Sequence, residues 1–143
     1  MKKALVCSVC GYIHLKETAP EKCPVCAAVS KAFNLKEDAL KTKEDIVTTG
    51  ESHKKHLPVI SIKNINENVQ EIKVKVGELE HPMIPEHYIT NIMFYADEEY
   101  VGGIALTHNL KPEGSVSINI KCKKISVIEH CNIHGDWITE NNR

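Results

Sequence analysis

The chain has 143 residues, 42% of them hydrophobic and 26% charged, with 18 Lys and Arg against 19 Asp and Glu. That length holds one ordinary domain or two small ones, and a formal charge of −1 excludes the basic excess of a nucleic-acid binder. No apolar run approaches the roughly 18 to 20 residues needed to span a bilayer, so neither nucleic acid nor membrane is expected as a partner.

The opening MKKALVCSVCGY has two lysines but no apolar stretch behind them. It is read as having no signal peptide, and a cytoplasmic location is expected. There thiols stay reduced, which makes the six cysteines candidates for metal binding rather than disulfides. Charge is uneven along the chain. Residues 1–36 carry six Lys against two Glu, residues 37–52 two Lys against five acids, and residues 53–143 ten basic against twelve acidic side chains. The pattern predicts a small module (1–36), a charged linker (37–52) and a larger domain (53–143).

Cys7, Cys10, Cys23 and Cys26 read C-x-x-C, twelve residues, C-x-x-C. Two residues between thiolates let each pair wrap one edge of a metal, and two such knuckles make a closed tetrahedral S4 site for Zn or Fe. The segment is too short to bury a sufficient core unaided and needs such a staple. A structural zinc ribbon and a one-electron iron centre are both open from the spacing. Next, LKEDALKTKED (35–45) is expected to form a short helix that TTGES ends.

From Leu57 onward the texture changes. VISIKNI, EIKVKVG, YITNIMFYA, EYVGGIALTHNL, GSVSINIK and KISVIEHC are short and rich in Val, Ile and Tyr. Polar and apolar residues often alternate, and NINEN, HPMIP, ADEE and KPEG supply turns between them. Six or seven strands predict an antiparallel β-sandwich or barrel, with a bulge at Gly102-Gly103.

Near the end, EHCNIHGDW places Cys131 three residues before His134. A C-x-x-H pair alone is weak evidence, but other histidines lie beside turns. SHKKHLPVI supplies His53 and His56, and EHPMIPEHYI supplies His81 and His87 with Pro82 and Pro85 stiffening the loop between them. His56, His81, His87, His134 and Cys131 are therefore expected to meet at one end of the domain. Four imidazoles and a thiolate are too many for closed structural zinc. They suit iron, with four nitrogens in a plane, sulfur axial and a sixth position open. His130 neighbours Cys131 on a strand and is expected on the opposite face. Cys122 is expected half-buried on a strand, Trp137 in the core or at its rim, and His14, His53 and His108 outside any metal site.

Two resemblances follow. VCSVCGYIH, APEKCPVCAA and KAF resemble the rubredoxin-like module of the rubrerythrins, although Ala27 stands where rubredoxins usually carry Gly. That resemblance favours iron over zinc at the four cysteines. From about residue 53 onward, KKHLPVI, KVGELEHPMIPEHYI and EHCNIHGDW resemble the superoxide reductases, the desulfoferrodoxin and neelaredoxin family. The resemblance implies an immunoglobulin-like β-sandwich that reduces superoxide by one electron to hydrogen peroxide at an Fe(His)4(Cys) centre. The Fe(Cys)4 site would pass electrons, and rubredoxin or a rubredoxin reductase would donate them. It implies a dimer or tetramer, and it gives Lys55 the place of the active-site lysine. Where the family commonly reads Glu-Lys-His, this chain reads Lys54-Lys55-His56, with Glu51 the nearest acid. From the residues alone the two lysines read as a solvated pair. Two other functions stand beside this one: a non-catalytic two-iron electron carrier or redox sensor, and a zinc ribbon fused to a binding module.

Overall fold

The computed structural model describes residues 1–45 and 52–142. In chain order the elements are β1 (Lys2–Cys7), β2 (Ile13–His14), β3 (Phe33–Lys41), α1 (Ser52–His56), β4 (Pro58–Asn64), β5 (Gln70–Val76), β6 (Ile89–Ala96), β7 (Glu99–Ala105), β8 (Glu113–Ile118), β9 (Lys124–Cys131) and β10 (Gly135–Asn142). Two short 3-10 turns, Ser30–Ala32 and Lys43–Asp45, flank β3. No helix among the described residues is long and apolar enough to cross a membrane.

Seven strands form one sheet in the order β2-β1-β3-β10-β9-β6-β7, and β4-β5-β8 form a second. Alternation along each strand decides what lies between them. On β6, Ile92, Phe94 and Ala96 pack with Val127 and Cys131 of β9 and with Ile72, Val74 and Val76 of β5, which is the core between the two sheets. Met93 and Tyr95 of β6, Ile128 of β9 and Ile138 of β10 point the other way, into a second core with Cys7, Tyr12, Ile13, Phe33 and Leu40. The large sheet is therefore covered on both faces. That explains why IMFYA reads as a continuous apolar run rather than an alternating one.

Most strands lie where the β-rich segments of the sequence predict them, and the fold is the mainly β architecture expected. The register of β6 against β7 shifts beside Phe94 and Tyr95, where Phe94 faces Gly102 and Tyr95 faces Tyr100, so the bulge sits next to the glycine pair. Three local expectations differ. Residues 35–41 are strand rather than helix: β3 is paired antiparallel to β1 and parallel to β10, with Leu40 opposite Asp136 and Lys41 opposite Trp137. This partner strand supplies the backbone hydrogen bonds that a weak, highly charged helix would have had to find for itself. GDWITENN forms β10, a strand its polar composition concealed. Cys122 lies in the turn before β9 rather than on a strand, and is half-buried as expected.

The small module is tied to the large sheet by aromatic packing. Tyr12 stacks on Tyr95 with ring centroids 6.4 Å apart, and Tyr100 meets Tyr12 edge-on at 5.3 Å. The buried Tyr95 hydroxyl donates to the Ile13 carbonyl at 2.6 Å. At the other end of the interface, Lys2 pairs with Glu140 at 2.7 Å.

Candidate metal centres

The four N-terminal cysteines converge. Cys7 Sγ lies 3.7 Å from Cys26 Sγ, and Cys10 Sγ 3.6 Å from Cys23 Sγ. A tetrahedron of about 2.3 Å metal–sulfur bonds has edges of roughly 3.8 Å, so the spacing fits a single ion. The two knuckles are built alike. Cys7 N–H donates to the Tyr12 carbonyl and Gly11 N–H to the Cys7 carbonyl; Cys23 N–H donates to the Ala28 carbonyl and Ala27 N–H to the Cys23 carbonyl. Gly11 and Ala27 occupy equivalent left-handed positions, at φ +82° and +65°. Ala27 therefore keeps the turn that glycine would make more easily. The Tyr12 N–H points at Cys10 Sγ from 3.4 Å, a hydrogen bond that favours the thiolate against burial and the neighbouring thiols, which push the metal-free Cys10 up to about 12.

The second cluster is assembled from three separate segments. His56 ends α1, His81 and His87 lie on the loop between β5 and β6, and Cys131 and His134 straddle the β9–β10 turn. The imidazole centroids form a near-square: His56–His81 4.6 Å, His81–His87 4.7 Å, His87–His134 5.0 Å and His134–His56 4.9 Å, with a longer His56–His87 diagonal of 6.4 Å. Ligand atoms of His56, His81, His87 and Cys131 all lie within 4.8 Å of one another. The Cys131 sulfur lies 3.7 Å from His134 Nδ1 and accepts from the His134 N–H at 3.4 Å. Cys131, His56 and His81 are buried, whereas His87 is half-buried and His134 exposed, so the square reaches the surface on one side.

The donor chemistry fits a cation. His81 Nδ1 contacts the Pro82 carbonyl at 2.7 Å, while its Nε2 and that of His87 are buried with no protein partner. A ring held through Nδ1–H presents Nε2 as a bare lone pair, the usual arrangement of a histidine ligand. Burial, with the neighbouring imidazoles, lowers His56 to about 3, and burial with His87, His134 and Lys55 lowers His81 to about 4, against an ordinary value of 6.5. Both rings are therefore neutral near pH 7, as ligands must be.

Around the square lie Trp137, Glu129 and Asn132, for which the sequence indicated no role at the site, and the two lysines of α1. Trp137 stacks on His56 with centroids 4.8 Å apart and planes 6° from parallel. The fully buried Glu129 places Oε1 3.7 Å from His56 Nδ1, and burial, then the neighbouring Cys131 and Asp136, push its carboxyl well above the usual range. Glu129 stands two residues before Cys131, so strand alternation alone would have put both on the core face. Asn132 joins two ligand segments: its Oδ1 accepts from the Tyr88 N–H at 2.9 Å and its Nδ2 donates to the Glu86 carbonyl at 3.1 Å, on either side of His87. Lys54 and Lys55 are exposed on α1, and the Lys54 carbonyl accepts from the Leu79 N–H at 2.8 Å. Glu51 lies outside the described residues.

His130, His14 and His108 lie outside the site, as expected; the side chain of His53 is outside what the structure describes. His130 points to the other face of β9 and pairs with Asp136 at 3.0 Å. His14 is buried against the Tyr12 hydroxyl at 3.1 Å, and His108 packs edge-on against Tyr88. Trp137 is a core residue, 1% exposed.

The sequence profile of the family described as "Desulfoferrodoxin" matches residues 48–140. The chain belongs to that family. Residues 6–34 match a second profile, "Rubrerythrin, rubredoxin-like domain". A desulfoferrodoxin from Desulfarculus baarsii is 33% identical over 130 residues, covering 84% of this chain and 94% of the relative. A superoxide reductase from Pyrococcus abyssi is 34% identical over 110 residues, covering 68% of this chain and 95% of its own. Among solved structures, the superoxide reductase from Nanoarchaeum equitans superposes with a TM-score of 0.57 at 27% identity. The superposition takes in 93% of that protein but only 62% of this one.

Proposed function

We propose that this desulfoferrodoxin-family chain is a superoxide reductase, reducing superoxide by one electron to hydrogen peroxide. The observation that carries the reading is the near-square of four imidazoles with the buried Cys131 thiol beside it. In this reading His56, His81, His87, His134 and Cys131 hold the catalytic iron, and Cys7, Cys10, Cys23 and Cys26 hold a second iron that passes electrons. A closed zinc site takes four ligands, whereas these five donors would suit an iron that reacts with a small anion. Iron so bound would supply the single electron, with the thiolate raising its electron density.

The protein's own groups do the rest. Lys55, exposed on α1 and close enough to His81 for its charge to bear on that imidazole, attracts the superoxide anion and orders the water that delivers a proton. Trp137 and Glu129 close the buried side of His56 against solvent. Lys54 occupies the place of the family's glutamate, so this chain offers a cation where relatives offer a carboxylate.

The division into a 1–36 module, a 37–52 linker and a 53–143 catalytic domain belongs to the same reading, with β3 reaching from the first into the sheet of the last. A cytoplasmic location, a rubredoxin-type electron donor and a dimeric or tetrameric state complete it.

Metal analysis and a visible spectrum come first, because a ferric S4 site is red, a ferric His4Cys site blue and zinc colourless. Peroxide yield per superoxide under a reductant comes next; one peroxide per superoxide with no oxygen release is expected. Oxygen release without any need for reductant would mean dismutation and refute the reading. Cys131→Ser is expected to abolish the sulfur-to-iron colour, and persistence of that colour would remove Cys131 from the ligand set.

A further inference from the structure

The N-terminal half of the chain puts a charge against the catalytic cluster. Lys41 is the last residue of β3, and the parallel pairing of β3 with β10 sets it opposite Trp137. From there its ammonium donates to the His134 carbonyl at 2.6 Å and lies 5.3 Å from the centroid of the Trp137 ring. Trp137 in turn stacks on His56 at 4.8 Å. One half-buried cation therefore touches the backbone of one member of the square and the aromatic support of another. Among the described residues no carboxylate lies within ion-pair distance of it. The end of β3 that carries Lys41 is anchored in turn. The Thr42 N–H donates to Asp45 Oδ2 at 2.7 Å, and the terminal ammonium of Met1 pairs with Asp45 Oδ1 at 2.9 Å.

We propose that Lys41 is a positioning residue of the His4Cys centre, contributed by the N-terminal half of the chain, that fixes the His134 turn and sets the electrostatic potential at the metal. The inference rests on the reading of that cluster as a redox iron site. A fixed positive charge beside a metal favours the state of lower positive charge, here the reduced one. Lys41 thereby keeps the centre easier to reduce, which is the form that meets superoxide. Its hydrogen bond holds the loop carrying His134, the most exposed ligand of the set. The same contact makes the catalytic centre sensitive to how the small module is seated, because β3 belongs to the strand set that surrounds the four cysteines.

The test uses the full-length, iron-loaded chain and four forms: the parent, Lys41→Met, Lys41→Gln and Lys41→Arg. Methionine keeps the stem without charge or donor, glutamine keeps an N–H donor without charge, and arginine keeps both. Iron content, the sulfur-to-iron charge-transfer band and the midpoint potential of the blue centre are measured. With iron content unchanged, the Met and Gln variants are expected to show a lower midpoint potential and a band moved to shorter wavelength, and Arg to stay near the parent. Loss of blue iron from Met but not from Gln or Arg would also support the assignment, through the hydrogen bond that positions His134. Parent-like potential and band in the Met and Gln variants would overturn it. So would an Arg variant shifted, or stripped of iron, as far as Met. Absence of the blue band from the parent chain would instead refute the functional reading itself, whatever Lys41 does.

Discussion

At Ala27 the backbone turns through φ +65°, a conformation that costs an L-residue roughly 1 kcal/mol or more and glycine almost nothing. The knuckle forms anyway because two backbone hydrogen bonds and the preceding ligand pair, Cys23 and Cys26, over-determine it. Ala27→Gly is therefore expected to stabilise the small module by about 1 kcal/mol, seen as a higher guanidinium midpoint for loss of its metal-site colour. No change would mean that the turn relaxes in solution. The role proposed for Lys55 belongs to the same scale but works through charge. Lys55→Ala is expected to slow superoxide capture by about tenfold at low salt and to flatten the dependence of that rate on ionic strength. The measurement mixes pulse-generated superoxide with reduced protein at several salt concentrations, and an unchanged rate would remove Lys55 from the mechanism. What the sequence left unread at this scale was Glu129 and Lys41. Glu129 was hidden because a buried acid looks like any other acid, and Lys41 because its partner lies 93 residues away.

A five-residue helix, α1, carries both His56 and Lys55, and its seat is Gly77. That glycine sits at φ +112°, and a Cβ there would lie 2.4 Å from the Lys54 carbonyl oxygen and 2.7 Å from the Lys55 Cα. So short a helix has little stability of its own, and the close approach to the end of β5 is what sets its position. Gly77→Ala is expected to displace α1, so that blue His4Cys iron is lost or weakly held while the red S4 centre loads normally. Equal loading of both sites in the variant would show that α1 adjusts without cost to the ligand set. The ligands on fixed strand ends were easier to foresee than this helix. Cys131 closes β9, and His81 and His87 flank prolines that announce a loop. The HKKH segment, by contrast, offered two histidines, and the sequence showed the choice of His56 but not the packing of α1 on Gly77 that seats its backbone.

Across the whole molecule the metal clusters tie stability to pH. Without metal, His56 and His81 hold protons only near pH 3 and 4, while their unfolded forms titrate at 6.5. Between those values the unfolded chain binds more protons, so stability falls as pH drops below about 6.5 and is regained above it. His130 acts in the opposite sense: Asp136 raises it, so its contribution is complete below 6.5 and fades as pH rises through its folded value. His14 and His134 are lowered as well, and these four histidines outweigh the raised His130 and the buried, raised Glu129, whose contribution is likewise lost as pH rises. The metal-free chain is therefore expected to unfold at lower denaturant at pH 5 than at pH 7.5, and His56→Gln to reduce that slope. Denaturant titrations at the two pH values measure both, and a flat profile would mean that the imidazoles are already exposed in the metal-free fold. Iron binding should raise stability over the whole range, because the assembled site exists only in the folded chain.

Sequence by itself determined the chemistry of this protein. Four cysteines in two knuckles, and five ligands beside turns, are local signals that survive without coordinates because ligand type and spacing are covalent properties of the chain. The β-rich second half was equally legible, since alternation and turn residues are local too. Tertiary structure alone decided how the two halves meet. The continuation of β3 into the large sheet and the strand character of GDWITENN depend on partners far away in the chain. The same holds for the covering of both faces of that sheet and for the reach of Lys41 to His134. Pairing free energy belongs to both strands together, and neither segment carries the pattern on its own.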